Sequence, residues 1–184
     1  MDLKWKVKEI VIIALVAAVV GVIYTVMDFA YAPLSALLGP IFMELTFGVY
    51  LLSALLPMYI GRKPGFAIFG ALVCAGVNLL LGSPYGIQVV LAGTLQAIGT
   101  EIAFLIGKKY SGSWTQLIIT GILAPLCVFC RDYIVFGYST MDSSILIAML
   151  AVRIASAIII GSLLTKGITA GLKKAGVLKG FRCM

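Results

Sequence analysis

The chain has 184 residues, 62% of them hydrophobic and only 11% charged, and its mean hydropathy is +1.14. Soluble globular domains are about 45–50% apolar and about 25% charged, so a soluble fold is excluded and an integral membrane protein is expected. The formal net charge of +7 sits in clusters beside apolar stretches, where membrane topology and anionic lipid headgroups account for it, and no nucleic-acid partner is expected.

The first cluster, Lys4, Lys6 and Lys8, precedes an apolar run that predicts a helix over residues 7–27. Lysines before an apolar run also describe a signal peptide, and Ala30-Tyr31-Ala32 imitates its cleavage site. The run is long enough to span, however, and Pro33 directly after the site would hinder cleavage, so the segment is read as a span. Ala14, Ala17, Ala18 and Gly21 recur along it at helical spacing. Small residues let helices approach closely in lipid, so this stripe suits either a neighbouring helix of the same chain or docking against a separate membrane protein. Residues 28–40 are broken by Pro33, Gly39 and Pro40 yet carry Phe29, Tyr31, Leu34, Leu37 and Leu38. They are expected to fold back over the bundle as a capping first outer loop or re-entrant piece.

Five more helices are predicted over residues 41–60, 65–81, 87–107, 114–136, with a kink at Pro125, and 144–166. Arg62 and Lys63 lie in the turn after the second, the uncharged Gly82-Ser83-Pro84-Tyr85-Gly86 turn joins the third to the fourth, and Lys108 and Lys109 follow the fourth. The last cluster runs from Lys166 to Arg182 in a tail expected on the membrane surface or against a cytoplasmic partner. The stretches between clusters hold about 53, 44 and 56 residues, each room for two spans of about 20. All four clusters therefore share one side, and basic residues favour the cytoplasm. The expected fold is an all-α integral membrane protein, one domain over residues 1–184, with six transmembrane helices and both termini cytoplasmic.

Several chemistries lack their parts. The chain has no histidine, no Walker-type loop, no H-E-x-x-H and no G-x-S-x-G, so no catalytic residue is assigned and the chain is not expected to be an enzyme. Cys127 and Cys130 form a C-x-x-C inside a predicted span with no second pair; they and Cys74 and Cys183 are read as packing residues, with no metal site expected.

Ionisable groups within the bilayer cost about 2.5–3.5 kcal/mol each at mid-helix, so each implies a partner or a water-filled cavity. Those retained are Glu44, Glu101, Arg131, Asp132 and Arg153, joined by the neutral polar Asn78, Gln88, Thr94, Gln96 and Thr100. Most fall toward the outer ends of their helices. On the fourth helix Gly93, Gln96, Ala97 and Thr100 share one side, so a polar stripe faces something other than lipid. One reading is an ion-pair network that holds the bundle together, Glu101 or Glu44 with Arg153 and Asp132 with Arg131. The other is a pocket open to the outside, with Tyr24, Phe47, Tyr85 and Tyr133 nearby, that suits a small polar ligand; carboxylates with aromatic walls suit a cationic or heteroaromatic one.

With Tyr31-Ala-Pro-Leu-Ser-Ala-Leu-Leu-Gly-Pro-Ile-Phe-Met-Glu44 and Gly82-Ser-Pro-Tyr-Gly-Ile-Gln88, the helix-one stripe and the outward polar pocket, the chain resembles the substrate-binding S component of an energy-coupling factor (ECF) vitamin transporter, of the YkoE family. The resemblance implies a multi-pass protein of a prokaryotic plasma membrane that captures thiamine or its hydroxymethylpyrimidine (HMP) precursor from outside. A coupling membrane subunit and two cytoplasmic ATPases would drive import, with helix one docking through Ala14, Ala17, Ala18 and Gly21. The expected ligand residues are Glu44, Asn78, Tyr85, Gln88, Gln96, Glu101, Arg131 and Arg153: Glu44 or Glu101 to offset the thiazolium or bond the aminopyrimidine, Tyr85 to stack, the others to hydrogen-bond. No cofactor is expected. A stand-alone proton-coupled transporter with Glu101 or Glu44 as proton carrier, and a structural assembly subunit, are the alternatives.

Overall fold

A computed structural model describes residues 4–107 and 110–183. Lys108 and Lys109, one of the four basic clusters, lie outside the described residues. Among the described residues the chain is all helical: α1 (Val7–Leu38), α2 (Pro40–Gly61), α3 (Phe66–Leu80), α4 (Gln88–Ile106), α5 (Trp114–Val135) and α6 (Ser143–Lys174). Five of them are long and apolar enough to cross a membrane; α3 has 15 residues. At about 1.5 Å per residue that is roughly 22 Å, short of the ~30 Å hydrocarbon layer, so the third expected span, over residues 65–81, is the shortest helix of the bundle.

The largest departure from expectation lies in residues 28–40, which are not a broken cap. α1 runs on through Pro33 to Leu38 for 32 residues, about 48 Å and longer than the hydrocarbon layer is thick. Proline fixes a φ that a helix already uses and removes a single backbone donor, and here Phe29, Leu34 and Leu37 around it are exposed apolar side chains. The helix stops instead at Gly39, whose φ of 79° suits a residue without Cβ and whose N–H donates to the Ser35 carbonyl at 2.9 Å. Pro40 then begins α2, where a missing N–H costs nothing.

Two local irregularities face each other across the bundle. α2 tightens into a 3₁₀ turn at Glu44–Thr46, and α6 widens into a π-helical turn at Ala157–Gly161. Ser156 ties them together: its hydroxyl donates to the Leu45 carbonyl at 2.5 Å and accepts the Gly48 N–H at 2.9 Å. A Cβ at Gly48 would lie 2.4 Å from the Ser156 carbonyl oxygen, so only glycine permits this approach.

The end that carries the basic residues is closed by packing. Lys63, only 2% exposed, reaches Glu9 at 2.6 Å and the Lys4 carbonyl at 2.7 Å, while Glu9 also accepts the Lys6 N–H and so caps α1. Trp5 stacks on Phe66 with ring centroids 4.4 Å apart and donates to the Pro64 carbonyl. The tail, expected on the membrane surface or a partner, turns back onto this end: Leu178, Phe181 and Cys183 are buried with Ile13, Leu56 and Phe66. Lys8 donates to the Lys179 carbonyl, and Arg182 to that of Arg62. Three apolar side chains in an otherwise basic segment gain more from this burial than from contact with headgroups.

Candidate ligand-binding site

At the opposite end the helices part around a cavity of about 380 Å³. Every helix contributes to its wall. α1 supplies Tyr24, Asp28, Tyr31 and Ser35, which share one face at intervals of four, three and four residues. α2 supplies Glu44, Phe47 and Tyr50, α3 Asn78, α4 Gln88, Gly93 and Gln96, α5 Arg131 and Asp132, and α6 Arg153.

One wall is a network of four charges. The Arg153 guanidinium donates through Nε and Nη2 to both oxygens of Glu44, at 2.5 and 2.9 Å, and through Nη1 to Asp132 at 2.6 Å. Its faces meet Phe47 and Phe129, with ring centroids 5.1 and 5.3 Å away. Arg131 Nε lies 3.1 Å from Asp132, an ion contact without hydrogen-bond alignment, and its guanidinium covers the Phe136 ring. Two carboxylates and two guanidiniums leave this wall formally neutral. A guanidinium presents a planar fork that a carboxylate matches in bidentate fashion, which explains why arginine holds this position.

A second polar group centres on Asp28, 3% exposed, which accepts hydrogen bonds from Tyr50 Oη at 2.8 Å, Asn78 Nδ2 at 2.9 Å and Ser83 Oγ at 2.8 Å. Tyr31 and Tyr85 meet edge to face, 6.2 Å between centroids. On α4 the buried Oε1 atoms of Gln88 and Gln96 have no partner. Buried polar atoms are normally bonded, so these two are unused acceptors within residues that line the cavity.

Seven of the eight residues expected to bind ligand thus share the wall of one cavity: Glu44, Asn78, Tyr85, Gln88, Gln96, Arg131 and Arg153. Glu101 does not join them. Its carboxylate accepts the backbone N–H groups of Gly65 at 2.9 Å and Ala67 at 3.1 Å, where the first turn of α3 leaves N–H groups without intrahelical partners. It is a remote cap near the basic end, and it pairs with no arginine. Tyr133 is also outside the cavity, 45% exposed. Asp28 and Tyr50 were missed; ending the first helix at residue 27 made Asp28 a loop residue, although Tyr24, Asp28, Tyr31 and Ser35 already repeat at helical spacing. The stripe on α1 divides as well. Ala17 and Gly21 are buried against this chain's own helices, where a Cβ on Gly21 would lie 2.7 Å from the Cys74 carbonyl oxygen of α3, so they are internal packing residues; Ala14 and Ala18 are half-buried.

Relatives set this geometry in context. Residues 8–127 match the family described as ABC-type cobalt transport system, permease component. A protein of Bacillus subtilis (strain 168) named as an HMP/thiamine permease protein, YkoE, is 33% identical over 176 residues, covering 96% of this chain and 88% of that protein. The chain belongs to the YkoE family of ECF S components. Its fold agrees: a solved structure titled as the crystal structure of an S-component of ECF transporter superposes with a TM-score of 0.92 at 32% identity, covering 97% of this chain and 90% of that one. As a YkoE-family member the chain is a multi-pass membrane transport protein, and its cavity lies where six helices of one S-component bundle converge.

Proposed function

We propose that this chain is the substrate-binding subunit of an ATP-driven ECF-type importer and that its cavity captures thiamine or HMP from outside the cell. The observation that carries the reading is the cavity itself, in a chain one-third identical to a protein named for HMP and thiamine. Its volume of about 380 Å³ falls in the roughly 300–1,000 Å³ range of small-molecule sites. Aromatic rings, two unpartnered amide oxygens and five charged side chains on its wall match a compact heteroaromatic ligand bearing N–H donors. Three carboxylates against two guanidiniums give the wall a formal net charge of −1, which favours a monocation such as thiamine over neutral HMP.

The family description names cobalt, but the donor set does not fit a metal ion. Glu44 and Asp132 are engaged by arginine and Asp28 by three neutral donors, and among the described residues no group of three or more His, Cys, Asp or Glu is placed to hold one. Basic residues favour the cytoplasm, so we place the end bearing Lys63, Lys173 and Lys174 inside a prokaryotic cell and the cavity mouth outside. The ATPases and the coupling subunit are separate chains in this reading, and the half-buried Ala14 and Ala18 on α1 belong to the face that meets the coupling subunit. Mass spectrometry of the small molecule that co-purifies with the detergent-solubilised chain tests the proposal. Thiamine or HMP is expected; no vitamin, together with no heat of binding on titration with either compound, overturns it.

A further inference from the structure

Asp28 differs from every other charged group around the cavity. Glu44, Asp132, Arg131 and Arg153 are held in one network of ion pairs, whereas Asp28 forms no ion pair among the described residues. Its three partners, Tyr50, Asn78 and Ser83, are all neutral. Such donors orient a carboxylate and share its charge without cancelling it. A buried carboxylate in a membrane bundle calls for an opposite charge or access to water, and the space beside this one is the cavity. A second observation points the same way. Gln96, 5% exposed, and Gln88 also line that cavity, and each holds a buried amide oxygen without a partner, so its wall carries acceptor capacity left over for a ligand's donors.

Resting on the cavity being the ligand site, we propose that Asp28 is the specificity-determining counter-ion: it selects a delocalised organic cation, whose N–H donors meet Gln88 and Gln96. The carboxylates of the arginine network belong to another part of the wall and are neutralised by Arg131 and Arg153. The role assigned on sequence to Glu44 or Glu101 passes to a residue of α1. Tyr50 and Ser83 hold the Asp28 carboxylate in one orientation, and the Tyr31 and Tyr85 rings supply aromatic surface in the same cavity.

The test compares two ligands that share a pyrimidine and differ in charge, thiamine as the cation and HMP as the neutral compound at pH 8. Calorimetric titration of the purified full chain in detergent is run on the wild type and on Asp28→Asn, which keeps the shape and an acceptor for Tyr50. Asp28→Asn is expected to weaken thiamine at least tenfold and HMP less than threefold. Equal losses for both ligands, or thiamine binding within threefold of wild type, overturn the assignment. Whether or not the variant folds, the wild type must bind thiamine at least tenfold more tightly than HMP; equal or weaker binding of thiamine also overturns it. A wild type that binds HMP alone would remove cation selection and leave the permease reading standing, whereas binding of neither compound would remove both.

Discussion

The two ends of the bundle both bury charge, with opposite results. At the basic end Glu9 and Lys63 meet at 2.6 Å, Lys63 Nζ also donates to the Lys4 carbonyl and Glu9 also accepts the Lys6 N–H, and Trp5, Phe66, Leu178 and Phe181 fill the space around them. At the other end Arg153 satisfies Glu44 and Asp132 just as closely, yet the network stands beside about 380 Å³ of open cavity and near amide oxygens without partners. A buried ion pair therefore says little by itself about function. What separates a staple from a site is whether the surrounding polar groups are also satisfied and the surrounding volume also filled.

Breaking each end in turn sharpens that contrast. The largest effect is expected from Arg153→Ala, which strands Glu44 and leaves Asp132 only its contact with Arg131: a loss of about 3–5 kcal/mol, seen as a lowered melting temperature together with loss of ligand binding. Lys63→Met strands a single carboxylate and should cost about 3 kcal/mol while the ligand dissociation constant stays within twofold. The double variant Glu9→Gln with Lys63→Met should recover most of that stability. If Lys63→Met instead abolishes binding, the two ends are coupled and the contrast fails. Ser156→Ala removes two hydrogen bonds between the irregular turns of α2 and α6, about 1–2 kcal/mol, and should loosen Glu44 against Arg153 enough to weaken binding severalfold. The smallest effect is kinetic. Burial pushes the Cys183 thiol up from its ordinary value, and the thiolate is the reactive form, so at pH 7.5 maleimide should label Cys183 far more slowly than an exposed thiol. Phe181→Ala should release the tail and accelerate labelling.

Much of this was legible in the chain because hydropathy and helical period are local properties. The placement of six apolar helices needed only hydropathy and the spacing of Lys and Arg, and the polar positions within them, Glu44, Asn78, Gln88, Gln96, Arg131 and Arg153, stood out because lipid leaves no other place for them. Two judgements failed, each for its own physical reason. Pro33 was read as a helix breaker although a proline can be carried where the helix loses one bond and stays exposed, and that reading hid Asp28. Glu101 was grouped with the cavity because depth along one helix does not reveal which neighbour it faces. Only packing shows that it meets the N–H groups of α3.

Composition and the basic clusters by themselves determined that this is a membrane bundle with its charge gathered at one end, because partition between water and lipid acts on each segment separately. Tertiary structure alone decided which charges neutralise one another. Arg153 could have paired with either Glu44 or Glu101, and the choice depends on how α2, α4 and α6 rotate and pack, which is set by long-range fits such as Gly48 against Ser156. The same packing left Asp28 without a cation among the described residues and turned it toward the cavity.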